Sequence, residues 1–230
     1  MLRAALFDVG DTLVEHWATD TEARHRELLV RAFGERPWYD EWLAAGLEPE
    51  DGAALRQETL EWCRAWCRAK GVDLGVEVDA LRAAMVLPLE EVSRPVPGAY
   101  DALRWCRERG LRVVLVTNTL WRGDEDCIAD WRRVGLGEAI TGVVSSHSVG
   151  WRKPHPAIFE RALEIAECAP REAFMVGDDP VADVAGAKAL GIRTVLRRTG
   201  RAGDVRGSSA DAVIDDLTEL PRVVAPWLGR

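Results

Sequence analysis

The sequence predicts an α/β protein, an open doubly wound parallel sheet interrupted after its first strand by an all-helical insertion. Three features of the 230-residue chain carry that expectation. Short apolar runs of strand length recur with helical stretches between most of them, one long segment has helical composition and no such run, and glycines stand where helices must stop before the next strand.

The first run, Ala4 to Phe7, ends on Asp8 and reads as a buried parallel strand. From about Val14 to Pro95, Ala, Leu, Glu and Arg dominate and β-branched residues are sparse, which favours helix over strand. Pro37, Gly46, Pro49, Gly52, Gly71 and Gly75 divide this segment into several helices. The chain therefore parses into a core of residues 1–14 and 96–230 and a helical insertion of residues 15–95. Pro97 and Gly98 open a helix running to Arg109, with Ala99, Ala102, Leu103 and Cys106 at helical spacing and Gly110 as its stop. Val113 to Val116 is the next strand, ending in Thr117 and Asn118, and Val143 with Val144 marks another. A helix over Pro156–Glu167, a strand over Phe174–Val176 and a helix over Val181–Leu190, stopped by Gly191, follow in turn. Thr194–Leu196 and Ala212–Ile214 are the last strands, with a Gly/Ser-containing loop at Gly200–Ser209 between them.

A hydrophobic fraction of 47% and a charged fraction of 30% suit a globular chain with a sizeable core. The formal net charge of -8 argues against nucleic acid and anionic membranes as partners, because both attract basic surfaces, and leaves room for a small anion in a locally positive pocket. No apolar stretch approaches the roughly 20 residues that cross a bilayer, and the amino terminus runs directly into a strand pattern, so a cytoplasmic location is expected. Monomer and homodimer are both compatible with the sequence. The five cysteines, Cys63, Cys67, Cys106, Cys127 and Cys168, lack the paired spacing of a zinc site and read as reduced, buried small hydrophobes. The four histidines show no metal-ligand pairing, and Trp38, Trp42, Trp62 and Trp66 are expected to pack the insertion or its contact with the core.

Reactive residue types concentrate at strand ends, where an open parallel sheet gathers its ligand site. They are Phe7-Asp8-Val9-Gly10-Asp11-Thr12-Leu13, then Thr117-Asn118, then Lys153-Pro154, then Gly177-Asp178-Asp179 followed by Asp183. A lone Asp or Asn at a strand end more often caps a helix or makes a turn, and Asp179 before Pro180 suits a helix start equally well. The ordered set, however, resembles the four motifs of the haloacid dehalogenase superfamily over nearly the full length of the chain. The insertion after the first motif is similar to that family's C1 cap, and Pro97-Gly98, His155-Pro156, Gly186-Ala187 and Gly191 match its flanking phrases.

The resemblance implies a Rossmann-like core and Mg²⁺-dependent hydrolysis of a small phosphorylated metabolite through an aspartyl-phosphate on Asp8. It implies Asp8, the carbonyl of Gly10, Asp178 and Asp183 as holders of the metal, directly or through water. Thr117, Asn118 and Lys153 would hold the phosphate, helped by backbone amides after the first motif. Only three of the thirty basic residues are lysine, and a compact ammonium at Lys153 fits between carboxylates and a phosphate better than a broad guanidinium does.

One departure from the family pattern bears on activity. Phosphatases of the family carry a second Asp two residues after the nucleophile as general acid and base, and this chain has Gly10 there. Asp11 is the candidate substitute, although neighbours in an extended loop project in different directions. A catalytically impaired or regulatory phosphate-binding protein is thus the alternative to a phosphatase. A 2-haloacid dehalogenase, which needs neither Mg²⁺ nor an acid for the departing halide, ranks below both, because Asp178, Asp179 and Asp183 form a cluster suited to a cation.

Overall fold

Side chains alternate across a strand, and in this protein both faces of the sheet are buried by helices. In a computed structural model, described for all residues except 17–20, 45–55, 73–77, 120, 201–207 and 230, the chain begins with β1 (Ala4–Phe7) and β2 (Val14–His16). Five helices follow: α1 (Thr21–Phe33), α2 (Tyr39–Ala44), α3 (Arg56–Ala69), α4 (Val78–Ala84) and α5 (Leu89–Val92). The remainder alternates as β3 (Ser93–Pro95), α6 (Ala99–Glu108), β4 (Arg112–Thr117), α7 (Asp124–Arg133), β5 (Gly142–Ser145), α8 (Ser146–Val149), α9 (Pro156–Ala166) and β6 (Ala173–Gly177). A π-helical turn at Pro180–Ala185 leads into α10 (Gly186–Ala189), and β7 (Arg193–Arg197), β8 (Ala212–Ile214) and α11 (Leu220–Leu228) complete the chain.

Six strands form a parallel sheet in the order β5-β4-β1-β6-β7-β8. The expected doubly wound architecture is therefore the observed one. Ala5 and Phe7 face one apolar layer with Leu103, Cys106, Trp131 and Val224 of the covering helices. Ala4 and Leu6 face the opposite layer, with Ile158, Phe159 and Ala162 of α9 and Ala187 of α10. A third cluster of Leu29, Tyr39, Trp42, Cys63, Leu81 and Met85 belongs to the helical segment, with Trp38, Trp66 and Trp121 packed against it. Three of the tryptophans expected to pack this segment do so, while the side chain of Trp62 lies outside the described residues.

Two expectations need correction. The segment between Val14 and Pro95 is not wholly helical, because its ends pair as an antiparallel ribbon, Val14 with Pro95, Glu15 with Arg94 and His16 with Ser93. Strands of three residues carrying Glu, His, Arg and Ser show no apolar period to read. The helix expected over Val181–Leu190 starts with a π turn instead, in which the amide of Val184 reaches back five residues to the carbonyl of Asp179 at 3.2 Å. Most of the Gly200–Ser209 loop, with Gly46, Pro49, Gly52 and Gly75, lies outside the described residues.

Gly98 opens α6 with φ 78°, and a Cβ there would meet the Thr218 backbone nitrogen at 2.8 Å and its Cγ2 at 2.9 Å. Gly98→Ala should therefore combine backbone strain with overpacking and cost about 1–3 kcal/mol of stability, read as a lower urea midpoint. An unchanged midpoint would contradict the close approach of the two segments.

Candidate active site

The sheet order places β1 between β4 and β6, so the winding reverses at β1 and a crevice opens at the carboxyl ends of these strands. Asp8, Thr117 and Asp178 sit at or just beyond the ends of those three neighbouring strands, and the amide of Asp8 donates to Val176 O at 2.9 Å. Lys153 reaches the same point from the loop after α8. Its Nζ donates to Asp8 Oδ1 at 2.5 Å, Asp183 Oδ1 at 2.7 Å and Val116 O at 2.9 Å, one acceptor for each ammonium proton. Burial opposes the charge of Lys153, but the carboxylates of Asp183 and Asp8 outweigh it and raise the amine's pKa, so the ammonium persists.

Local structure fixes each participant. The amide of Asn118 holds the main chain of Lys153 from both sides, with Lys153 N donating to Oδ1 at 2.8 Å and Nδ2 donating to Lys153 O at 3.2 Å. Asp183 sits in the π turn, and its Oδ2 accepts from Asp179 N at 3.1 Å. Gly177, which ends β6, leaves room for that carboxylate, which any Cβ at this position would strike. Asp179 caps the turn, its Oδ1 accepting from Val181 N at 2.7 Å and Ala182 N at 2.8 Å, so of its two readings the structure shows the helix start.

The loop after β1 curls tightly. Thr12, Leu13 and Val14 all donate their amides to Val9 O, at 3.3, 2.9 and 3.0 Å. Among the amides at and just after the first motif, those three are therefore committed to the loop itself and not presented to a ligand. Asp11 adopts φ 52°, a left-handed conformation that Asp tolerates better than most residues, and Arg197 Nη1 donates to its carbonyl at 2.5 Å.

Oxygens of Asp8, Asp178 and Asp183 lie within 4.8 Å of one another, a set of hard donors that suits Mg²⁺. Electrostatics points the same way. Burial, then the charges of Asp8 and Asp11, push the Asp178 carboxyl up to about 6, with a Thr12 hydroxyl bond opposing. Burial also raises the Asp183 carboxyl, Lys153 working against it and Asp8 with it. Carboxylates that resist ionising together are an arrangement a divalent cation would relieve.

These residues line a cavity of about 420 Å³, with Gly10, Asp11, Thr117 and Asn118 also in its wall. All the expected site residues thus meet around one space. Sequence reasoning missed Thr12, whose Oγ1 donates to Asp178 Oδ1 at 3.3 Å, and the wall formed by Leu89, Val92, Arg122, Asp130 and Trp131. Thr12 finds its partner 166 residues away, and no spacing within one segment marked the wall residues as facing the cavity. Cys127 also lines the cavity, but burial pushes its thiol up to about 12, which leaves it without thiolate character. His16 has its side chain outside the described residues.

The model of the haloacid dehalogenase-like hydrolases matches residues 2–191. The chain is 39% identical over 209 residues to bovine haloacid dehalogenase-like hydrolase domain-containing protein 3, covering 85% of this chain and 81% of that one. It is 34% identical over 145 residues to ribulose-1,5-bisphosphate 5-phosphatase of Halopiger xanaduensis, covering 60% and 59%. Against three of the curated relatives, the aligned stretch spans 38%, 59% and 53% of the relative's length, less than two thirds of each. The fold is shared with a HAD phosphatase from Thermococcus onnurineus, TM-score 0.63 at 23% identity over 97% of this chain and 98% of the other. It is shared equally with a 2-haloacid dehalogenase from Pseudomonas syringae pv. Tomato DC3000, TM-score 0.67 at 24% identity over 99% and 100%.

The raised Asp178 carboxyl has a consequence for stability. A proton held more tightly by the folded chain than by the unfolded one stabilises the fold at low pH, and that contribution fades as pH climbs from 3.8 through about 6. In the presence of a chelator, Asp178→Asn should flatten the fall in melting temperature between about pH 4 and pH 7. The same slope in both proteins would show that burial and neighbouring charge do not raise the Asp178 carboxyl.

Proposed function

This chain belongs to the haloacid dehalogenase-like hydrolase family, and we propose that within it the protein is a Mg²⁺-dependent phosphatase of a small phosphorylated metabolite. The observation that carries this reading is the ammonium of Lys153 held between Asp8 and Asp183 while Asp178 completes a three-carboxylate cluster. A positive charge and a cation site on either side of one carboxylate suit attack on a phosphate better than attack on a carbon–halogen bond. Relatives named as ribulose-1,5-bisphosphate 5-phosphatase and glyceraldehyde 3-phosphate phosphatase agree with that preference.

In this reading Asp8 is the nucleophile. Its carboxylate oxygen bonds to phosphorus as the ester P–O bond breaks, and Asp11 gives a proton to the departing oxygen. Asp11 then takes a proton from water, whose oxygen attacks the phosphorus and releases inorganic phosphate, restoring the Asp8 carboxylate. The Thr117 hydroxyl holds a phosphate oxygen throughout, Lys153 supplies a fixed positive charge beside Asp8 while its three protons stay on Asp8, Asp183 and Val116 O, and Asn118 keeps Lys153 in register through its main chain. Asp8, Asp178 and the Gly10 carbonyl would hold Mg²⁺, with Asp183 in support. Bound there, the ion offsets the repulsion between the carboxylates and the phosphate.

Residues 15–95 act in this reading as a cap. Leu89 and Val92 of α5 already line the cavity, and a space of about 420 Å³ limits the substrate to a small molecule. Among the described residues no helix is long and apolar enough to cross a membrane.

Release of inorganic phosphate from p-nitrophenyl phosphate should require Mg²⁺ and stop with a chelator. Asp8→Asn should lower the rate at least about 10³-fold, and Asp11→Asn about 10²- to 10⁴-fold. Turnover that survives Asp8→Asn would remove the proposed nucleophile. Phosphate binding without turnover in the wild type would instead establish a non-catalytic protein.

A further inference from the structure

An acid at position 11 is useful only if its backbone holds still. Asp11 has φ 52°, and a left-handed residue other than glycine persists only where its surroundings impose that conformation. The peptide unit joining Asp11 to Thr12 is planar, so a grip on its N–H and a grip on its C=O together fix how it is turned. Thr12 N donates to Val9 O at 3.3 Å, a long bond to an acceptor shared with the amides of Leu13 and Val14. Arg197 Nη1 donates to Asp11 O at 2.5 Å, a short bond from a charged donor. Of the two, the guanidinium is the stronger hold.

That guanidinium stands on a rigid support. Arg197 ends β7, where it pairs with Ile214 of β8, and Leu196 before it pairs with Gly177 of β6. The next residue is tied down as well. Arg198 N donates to Ile214 O at 2.8 Å, and its side chain grips both oxygens of Asp215 at 2.6 and 2.7 Å. Because β6 stands between β7 and β1, Arg197 crosses the end of one strand to reach the loop that follows another. A donor carried by a sheet strand is placed more precisely than one carried by a loop. At the far end of this chain of contacts, Asp11 stands in the wall of the cavity that also holds Asp8 and Asp178.

We propose that Arg197 is a positioning residue for the leaving-group proton: by fixing the Asp11–Thr12 peptide, it keeps the Asp11 carboxyl in the cavity beside Asp8. This deepens the phosphatase reading and rests on it. As an Asp8 oxygen bonds to phosphorus and the ester P–O bond breaks, the proton passes from the Asp11 carboxyl to the departing oxygen. Arg197 touches neither the substrate nor the reacting atoms in that step.

The test compares kcat/KM, which covers the steps up to departure of the leaving group, for ethyl phosphate and p-nitrophenyl phosphate. Ethoxide is a strong base that needs a proton as it leaves, whereas p-nitrophenolate leaves without one. The ethyl-to-aryl ratio should fall at least about tenfold in Asp11→Asn and about tenfold in Arg197→Gln. In the double variant it should fall no further than in Asp11→Asn alone. A purely structural Arg197 would slow both esters alike and leave the ratio unmoved, which overturns the proposal. Should Arg197→Gln fail to fold, Arg197→Met keeps the stem, removes the donor and carries the same expectation. A ratio that Asp11→Asn leaves unchanged removes Asp11 as the acid, and the proposal with it. Crystals of the Arg197 variant separate the two readings. A peptide after Asp11 that turns there, in a protein that hydrolyses neither ester, sinks the phosphatase reading and keeps the hold of Arg197; an Asp11 that stays left-handed overturns the hold.

Discussion

A lysine ammonium sealed between two carboxylates at the carboxyl end of a parallel sheet is the contact on which the rest of this site depends. A buried charge is tolerated only when paired and fully hydrogen-bonded, and Lys153 meets that condition through Asp8, Asp183 and Val116 O. The three acceptors come from the end of β1, the π turn and the end of β4, so those segments must close on one point. Smaller features follow from the same demand. Gly177 lacks a side chain because Asp183 occupies the space where one would stand, and Asn118 grips the backbone of Lys153 on both sides. With Asp178 and Asp11 added, negative charge exceeds what one ammonium balances, and burial together with the charges of Asp8 and Asp11 raises the Asp178 carboxyl.

The parts of the fold legible in the sequence are those whose local pattern and tertiary role coincide. Ala4–Phe7 and the strand at Val113–Val116 are buried on both faces, so they read as unbroken apolar runs, and α9 shows an apolar stripe because one of its faces packs on the sheet. β2 and β3 escaped notice because three-residue strands have no period, and their pairing joins chain ends separated by the whole helical segment. The π turn has no compositional signature, since it differs from an ordinary helical turn by one hydrogen-bond step. At the site, Asp8, Thr117, Lys153 and Asp178 were legible through their positions after strands. Thr12 with Asp178 and Arg197 with Asp11 are pairs 166 and 186 residues apart, which no spacing within one segment reveals.

The helical segment has its own apolar cluster yet is tied to the sheet domain at identifiable points. Arg82 of α4 donates to Trp121 O at 2.6 Å and to Asp126 Oδ2 at 2.8 Å, and Trp121 packs near Trp42 with ring centroids 6.3 Å apart. Trp121 directly precedes Arg122. A residue that joins the two parts of the molecule and a residue of the cavity wall therefore share one short connection, between the end of β4 and the start of α7.

Backbone conformation bears on the difficulty posed by Gly10, and it supports the proposed role of Asp11. In an extended loop, successive side chains point apart, and an acid at position 11 could not stand in for one at position 10. The loop is not extended: three amides converge on Val9 O, Asp11 is left-handed, and Arg197 holds its carbonyl. Asp11 accordingly lines the cavity, and its charge acts on Asp178. Position along the chain is thus a poor guide to which carboxylate could serve as acid and base, and the curled loop is the physical ground for proposing Asp11 in that role.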